Sequence, residues 1–265
     1  MGSIAAPSQS LTSKIALVTG SSSGIGEATA LELSKRGAYI VVSYYSPAEQ
    51  ALAEGVLAGL PTAANSIIVQ ADLSTWDGPR KLAAIIKNRY GHLNILVNSA
   101  AYGGMVPFDT PDDELLSKTW DATFNTNARG TYLLIRAVLP FLSHSNSRIV
   151  NITSDTVRDP PVDSVIYAGT KGMIEVMTRC LARELPRKLG CTVNAVAPGP
   201  VATAVMKSAP PEFMESVKHV LDRTPVGSRM GEPEELAWMI ATLCEPGASW
   251  VNGQVISVNG GSVLR

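Results

Sequence analysis

The sequence lacks an excess of charge of either sign, and this absence narrows the range of partners. Its 22 lysine and arginine residues are balanced by 23 aspartate and glutamate residues, which gives a net charge of −1. Such a chain has no overall positive field to attract a nucleic-acid backbone or an anionic lipid surface. We therefore predict that neither nucleic acid nor a membrane is a partner.

Long apolar runs and cysteines are also scarce. No stretch approaches the ~18 apolar residues of a membrane-spanning helix, and the first residues lack the basic and apolar segments of a secretion signal. The three cysteines, Cys180, Cys191 and Cys244, have no metal-binding or redox spacing and lie in segments predicted to be core. Because this usage fits a reducing compartment, we predict a cytoplasmic protein.

Motifs for metal catalysis are missing as well, and a serine-hydrolase triad is disfavoured. The three histidines, His92, His144 and His219, show no H-E-x-x-H motif and no clustered spacing. A G-x-S-x-G match at residues 20–24 lies within a longer T-G-x-x-x-G-x-G turn, and none of the three histidines forms a pattern with it. The sequence therefore predicts no bound metal and no Ser-His-Asp triad.

The chain does contain a regular alternation of short apolar runs and helical segments. A strand followed by a covering helix, repeated, builds a parallel sheet with right-handed crossovers. We predict a single α/β domain, a doubly wound, Rossmann-like parallel sheet of about seven strands with helices on both faces. The predicted strands are residues 15–19, 39–43, 67–70, 95–98, 149–152, 193–196 and 255–258.

This domain is predicted to span residues 13–265. Residues 1–12 are small and polar and have no apolar period, so we expect a flexible tail there. Residues 203–230 interrupt the alternation, since Pro210, Pro211 and Pro225 frame a short helical stretch. An insertion near the carboxyl end of a strand predicts a lid over the site.

A glycine-rich turn follows the first predicted strand and opens into the first helix. It reads Thr-Gly-Ser-Ser-Ser-Gly-Ile-Gly over residues 19–26. Glycine permits positive φ and a close approach of backbone N–H groups to a pyrophosphate, whose charge the helix N-terminus also favours. The turn therefore predicts a dinucleotide site, with the candidate residues Gly20, Ser22, Ser23, Gly24, Ile25 and Gly26.

The end of the second predicted strand indicates which dinucleotide binds. NAD sites usually offer Asp or Glu there to the ribose 2′-hydroxyl, and a carboxylate would repel the 2′-phosphate of NADP. This strand instead ends in hydroxyl residues, although no lysine or arginine accompanies them. We predict NADP(H), with the phosphate donors Ser23, Ser43, Tyr44 and Ser46.

A second group of residues predicts proton chemistry. Tyr167 and Lys171 lie at i and i+4 of a predicted helix, so their side chains share one face. A free phenol has a pKa of about 10, and a neighbouring ammonium would lower that pKa by stabilising the phenolate. Ser154 follows the fifth predicted strand and Asn98 ends the fourth, at the edge where open α/β sheets bind ligands. Asn127 falls inside a long helix, where asparagine is a poor helix former and could bridge a water.

With these motifs in this order, the chain resembles the short-chain dehydrogenase/reductase family, in the group with a T-G-x-x-x-G-x-G turn. The resemblance covers nearly the whole chain and includes a Pro-Gly-Pro-Val-Ala-Thr segment at residues 198–203. It implies that Tyr167 exchanges a proton with the substrate oxygen and that Ser154 hydrogen-bonds that oxygen. It also implies that Lys171 holds the nicotinamide ribose and that Asn127 holds a water in a relay toward Lys171.

The resemblance implies further contacts with the cofactor. Asp72 would lie near the adenine, and Val201 and Thr203 would contact the nicotinamide carboxamide. The full set of added cofactor-binding residues is Asp72, Leu73, Asn98, Ala100, Tyr167, Lys171, Pro198, Gly199, Val201 and Thr203. One departure is Asn-Ser-Ala-Ala at residues 98–101, where the family usually reads N-N-A-G. Because alanine disfavours positive φ, we expect the loop after the fourth strand to sit differently.

The implied activity is hydride transfer between NADP(H) and a ketone or secondary alcohol. Apolar residues in the predicted loops favour an apolar or cyclic substrate, of the polyketide or secondary-metabolite type. Three alternatives stay open: a 3-oxoacyl-carrier reductase, an isomerase or dehydratase on the same scaffold, and an NADP(H)-binding protein without catalysis. The resemblance also implies a homotetramer that packs through long helices at about residues 111–140 and 165–185.

Overall fold

The computed structural model describes residues 9–264, and at residue 216 only the backbone. Its seven strands form one parallel sheet in the order β3-β2-β1-β4-β5-β6-β7. The predicted fold class is therefore confirmed. The strands are β1 Ile15–Val18, β2 Tyr39–Tyr44, β3 Ile67–Gln70, β4 Ile95–Asn98, β5 Ser147–Ile152, β6 Cys191–Pro198 and β7 Val255–Val258.

Helices follow the strands in the alternation that the sequence predicts. A π-helical turn, Phe124–Gly130, joins two of them into one continuous rod. The helices are α1 Gly24–Lys35, α2 Gln50–Gly59, α3 Gly78–Tyr90, α4 Asp113–Thr123, α5 Thr131–Val138, α6 Val165–Glu184, α7 Pro186–Leu189, α8 Ala204–Lys207, α9 Pro211–Asp222 and α10 Pro233–Cys244.

Two hydrophobic layers hold the helices on the sheet. Along β1, Ala16 and Val18 point to one layer, which α1, α2 and α10 cover, while Leu17 points to the other, which α3, α5 and α6 cover. This alternation follows from the period of two along a strand. Since both faces are covered, every residue of β1 is buried, as expected for a central parallel strand.

The strand order places the crevice for a ligand. β1 pairs with β2 on one side and with β4 on the other, so successive strands are added in opposite directions from this point. In open α/β sheets, ligands bind outside the carboxyl ends of the strands at such a switch point. The loops that follow β1, β4, β5 and β6 are therefore the ones that build the site.

Three details refine the predictions from the sequence. Of the expected tail, residues 1–8 lie outside the described residues, whereas Leu11 is buried and its N–H donates to Arg36 O at 2.9 Å.

Cys180, predicted to lie in the core, is exposed on α6, while Cys191 and Cys244 are buried. No helix within residues 9–264 combines the length and apolar character needed to cross a bilayer.

Candidate active site

The glycine-rich turn after β1 lies against the loop after β4. Gly20 has a φ of +61°, and a side-chain carbon placed on it would lie 2.8 Å from Ala100 Cα. Thr19 Oγ1 accepts hydrogen bonds from the N–H groups of Ser99 and Ala100, each at 3.0 Å. Only glycine suits position 20, and Thr19 holds the two loops together.

The end of the same turn opens into α1 and touches the segment after β6. Ser23 and Ile25 are half-buried where α1 begins, and Gly24 has a φ of +59°. A side-chain carbon on Gly24 would lie 3.1 Å from the methyl group of Thr203. The free N–H groups of a helix start and a turn without side chains fit the pyrophosphate of a dinucleotide.

The segment after β6 is fixed by its own hydrogen bonds. Pro198 ends β6, and Gly199 N–H donates to Val258 O at 3.3 Å. Val201 is buried and pairs with Gly231, and Thr203 begins α8 by accepting a hydrogen bond from Met206 N at 3.2 Å. These contacts bring the predicted Val201 and Thr203 to the same edge as the glycine-rich turn.

At the end of β2, the structure differs from the predicted site for the 2′-phosphate of NADP(H). Ser43 and Tyr44, two of the predicted phosphate donors, are only 2% and 6% exposed. The backbone of Ser43 is tied to Ser21 in the glycine-rich turn at 2.9 and 3.0 Å. A carboxylate is present here after all, since Glu49 accepts hydrogen bonds from Ser22 Oγ at 2.9 Å and from Tyr45 N at 3.2 Å.

Asp72 and Leu73 follow β3, as predicted. The Asp72 carboxylate accepts hydrogen bonds from Ser74 N at 2.8 Å and from Ser74 Oγ at 2.6 Å, which fixes the bend of this loop. Leu73 is buried, and its carbonyl oxygen would lie 2.5 Å from a side-chain carbon placed on Gly130. The loop therefore packs closely on the end of the π-helical turn.

Asn98 begins a buried polar chain across the sheet. It is directly paired in register with Asn151, and its Nδ2 donates to Asn151 Oδ1 at 2.8 Å. Asn151 donates in turn to Thr178 Oγ1 on α6 at 2.9 Å. The Asn98 Oδ1 atom is buried without a partner among the described residues. The chain ties β4 and β5 to the helix that carries the predicted catalytic pair.

Ser154, Tyr167 and Lys171 converge at the carboxyl end of β5. Ser154 follows β5, accepts a hydrogen bond from Thr156 N at 3.2 Å and lies close enough to the Tyr167 hydroxyl to lower its pKa. Lys171 Nζ lies 5.6 Å from the centre of the Tyr167 ring and donates to Ile152 O at 2.9 Å. The i, i+4 spacing on α6 and the end of β5 therefore bring all three groups together.

The protonation of these groups differs from the sequence expectation. Burial raises the pKa of Tyr167 above its ordinary value, and the hydrogen bond with Ser154 acts in the opposite direction. Burial also lowers the pKa of Lys171 to about 8. Removal from water therefore sets the direction of the Tyr167 pKa shift, opposite to the lowering that the sequence predicts from the neighbouring ammonium. Tyr167 is a phenol at neutral pH, which suits it to donate a proton.

Asn127 lies at 0% exposure within the π-helical turn, a type of turn that is frequent at functional sites. Its Oδ1 accepts from Tyr102 N at 2.7 Å, and its Nδ2 donates to Tyr102 O at 3.0 Å and to Thr170 Oγ1 at 3.1 Å. Thr170 Oγ1 also donates to Tyr167 O at 2.7 Å. The amide therefore fixes the loop after β4 to α6, and its role toward a water stays a prediction.

Comparison with known proteins identifies the family of this chain. A family model described as enoyl-(acyl carrier protein) reductase matches residues 20–262. The short-chain dehydrogenase/reductase FrzI of Cladobotryum sp is 35% identical over 262 residues, 97% of this chain and 98% of FrzI. The chain belongs to the short-chain dehydrogenase/reductase family.

Two solved structures of this family are similar along almost the whole chain. A short-chain dehydrogenase from Burkholderia cenocepacia J2315 in complex with NADP has a TM-score of 0.85 and 29% identity, covering 96% of this chain and 99% of the other. The promiscuous reductase LugOII, which catalyses keto-reduction at C1 during lugdunomycin biosynthesis, has a TM-score of 0.83 and 31% identity, covering 96% of this chain and all of LugOII (100%).

The departure from the family's N-N-A-G pattern does not strain the backbone. Among residues 9–264, the non-glycine residues with positive φ are Ser13, Asn146 and Asp163, so Ala101 adopts an ordinary conformation. The loop is held instead by Thr19 and Asn127, through the hydrogen bonds given above. Ala101 thus avoids positive φ, as expected of alanine, and a loop position different from that of other family members stays a prediction.

Substitution of Asn127 tests whether its side chain anchors the loop after β4. We expect Asn127→Ala to lower the free energy of unfolding by about 2 to 4 kcal/mol, because it removes a fully buried amide together with its hydrogen bonds to Tyr102 and Thr170. Urea unfolding measures this change. Asn125→Ala, on the same π-helical turn but half-buried, should cost less than about 0.5 kcal/mol. Equal losses in the two variants would show that the amide is not an anchor.

Proposed function

We propose that this member of the family uses NADP(H) to interconvert a ketone and a secondary alcohol. The observation that carries the proposal is the convergence of Ser154, Tyr167 and Lys171 beside a glycine-rich turn at one edge of the sheet. A proton donor, a second hydrogen-bonding group and a cation lie where a carbonyl oxygen would need them. The keto-reduction that LugOII catalyses supports the same reaction type here.

The residues present fit a dinucleotide. Gly20 and Gly24 leave space that a side-chain carbon would fill, and the start of α1 offers free N–H groups. We propose that the turn holds the pyrophosphate, that Asp72 and Leu73 lie near the adenine, and that Lys171 holds the nicotinamide ribose. When bound, the nicotinamide supplies or takes up the hydride. The NADP complex of the Burkholderia relative supports NADP(H) as the cofactor.

The three side chains then have separate tasks in reduction. Tyr167 donates its phenolic proton to the carbonyl oxygen as negative charge develops there. Ser154 donates a hydrogen bond to the same oxygen and stabilises that charge. The Lys171 ammonium stabilises the phenolate that remains on Tyr167. In alcohol oxidation the proton moves in the opposite direction.

The substrate is proposed to be an apolar or cyclic ketone of the secondary-metabolite type. Tyr102 and Met105, in the loop after β4, are exposed apolar residues that could line its site. The predicted lid at 203–230 contains α8 and α9, and the Arg223 side chain at the end of α9 pairs with Asp159 in the loop after β5. The substrate would enter between this lid and that loop.

A spectrophotometric assay tests the proposal directly. Purified protein is mixed with NADPH or NADH and a panel of cyclic, aromatic and acyl-chain ketones, and the loss of absorbance of the reduced nicotinamide is followed. We expect consumption of NADPH with the cyclic ketones. Binding of NADPH without any consumption across the panel would instead favour a non-catalytic NADP(H)-binding protein.

The pH dependence of reduction should follow Lys171. With a pKa of about 8, this side chain is an ammonium below pH 8 and becomes neutral above it. Tyr167, whose pKa is raised, keeps its proton over the same range. We therefore expect a constant rate of reduction below about pH 8 and a fall approaching about tenfold per pH unit above it. Initial rates at saturating NADPH between about pH 6 and 10 measure this profile, with circular dichroism as the control for folding. A profile that stays flat to about pH 10 would contradict the role of the ammonium.

We also propose a cytoplasmic homotetramer. On the long helices that the family resemblance places between subunits, Trp120, Tyr132, Met173 and Val176 are exposed apolar residues. Such side chains are typical of a surface that a second subunit covers. Size-exclusion chromatography with light scattering should give a mass of four chains, and a stable monomer at micromolar concentration would exclude this assembly.

A further inference from the structure

Glu49 occupies a position that the catalytic proposal does not explain. Its carboxylate lies between the glycine-rich turn and the end of β2, because Ser22 Oγ and Tyr45 N both donate to Oε2, at 2.9 and 3.2 Å. Ser22 is only 6% exposed. The crevice between this turn and this strand end is where dinucleotide-binding folds recognise the 2′ substituent of the adenosine ribose.

The charge at this position opposes a phosphate. None of the ion pairs that residues 9–264 form includes Glu49, so no lysine or arginine neutralises its carboxylate. A carboxylate can accept a hydrogen bond from a ribose 2′-hydroxyl but repels a 2′-phosphate. The two donors that Glu49 engages, a hydroxyl and a backbone N–H, are groups that a phosphate would otherwise use.

We infer that Glu49 sets the cofactor preference by competing with the 2′-phosphate of NADP(H) for the Ser22 hydroxyl and the Tyr45 N–H. This inference rests on the proposed function. Binding of NADPH requires the carboxylate to leave both donors, whereas NADH binds with Glu49 in place. The affinity for NADPH is therefore lower than it would be without the Glu49 carboxylate, and NADH is accepted at the same site.

A purely structural role for Glu49 makes a different prediction. Glu49 ends the turn Pro47–Glu49 directly before α2, where a negative charge favours a helix start. If that were its whole contribution, Glu49→Gln would lower the thermal stability and change the affinity for both cofactors by the same factor. The ratio of the two affinities separates the two roles.

The test is a measurement of cofactor binding without substrate. Dissociation constants for NADPH and NADH are determined from the fluorescence of the reduced nicotinamide, for the native protein and for Glu49→Gln. The variant keeps the shape and removes the charge. We expect the Kd for NADPH to fall about tenfold and the Kd for NADH to change less than about twofold. Glu54→Gln is the matched control, because Glu54 is exposed on α2 and is bonded to Gln50 at 2.9 Å, and it should change neither Kd.

Ser22→Ala gives a second, independent measurement. If the 2′-phosphate takes over the Ser22 hydroxyl, this variant should raise the Kd for NADPH about fivefold and leave that for NADH within about twofold. Unchanged ratios in both variants, or weaker NADPH binding by Glu49→Gln, would overturn the inference while leaving the proposed function intact. Failure of the native protein to bind either cofactor would overturn both.

Discussion

Replacing Tyr167 with phenylalanine is expected to lower kcat for ketone reduction about a thousandfold, within the range usual for the loss of a general acid. Phenylalanine keeps the ring beside Lys171 and removes only the hydroxyl whose pKa Ser154 lowers. The proton donor is lost, while the turn that is proposed to hold the cofactor is untouched. Initial rates with NADPH and the best ketone of the panel, measured at pH 7, give this ratio.

The matched control for that variant is Tyr39→Phe, which removes the same hydroxyl at the amino end of β2, where it is hydrogen-bonded to Ser13 Oγ at 3.2 Å. It should leave kcat within about twofold, as is usual for surface substitutions. NADPH fluorescence should show that the Tyr167 variant still binds the cofactor with a Kd close to that of the native protein. A Tyr167 variant with native kcat would remove this phenol from the reaction.

The fold was predictable because its determinants are local and repeated. Strands such as Ile67–Gln70 and Ile95–Asn98 are short apolar runs that the structure reproduces at the same bounds. A central strand such as Ile95–Asn98 is buried on both faces and is therefore mostly apolar, so its signal in the sequence is strong. The strand order then follows from the handedness of the crossovers rather than from any single residue.

The parts of the site that the sequence indicated are those set by spacing along the chain. Tyr167 and Lys171 meet because they lie one turn apart on α6, and Gly20 and Gly24 have positive φ in a turn that follows a strand. Asn98 was expected at a strand end, and its bond to Asn151 could have been anticipated from the parallel register that pairs the two residues. In each case the local element dictates where the side chain goes.

The parts that the sequence did not indicate depend on contacts between distant segments. Glu49 lies beyond the end of β2, and only the close packing of the glycine-rich turn brings Ser22 to it. Asn127 was predicted from the sequence to hold a water, but only the tertiary fold shows its amide bonded to the backbone of Tyr102. The depressed pKa of Lys171 likewise reflects burial, which no pattern of neighbours in the sequence reports.

A second large effect is expected from Gly26→Ala. Gly26 lies in the first turn of α1, and an added side-chain carbon would lie 2.2 Å from Gly20 O and 2.9 Å from Ser21 Cα. Both contacts are with backbone, which cannot rotate away as a side chain can. The turn must shift, and its N–H groups then no longer point at the pyrophosphate. We expect binding of NADPH to weaken by about 3 kcal/mol, or roughly a hundredfold in Kd, and the free energy of unfolding to fall by about 1 to 3 kcal/mol.

Gly55→Ala is the control that separates this steric effect from the general effect of replacing a glycine in a helix. Gly55 lies within α2, is exposed and has no heavy atom within 4 Å of the position of an added side-chain carbon. This variant should gain about 0.5 to 1 kcal/mol in the free energy of unfolding and bind NADPH as the native protein does. Since both variants make the same chemical change, a difference in NADPH affinity between them must come from the backbone of the glycine-rich turn. Native affinity in the Gly26 variant would mean that the dinucleotide does not depend on this turn, and the assignment of the cofactor site would then be wrong.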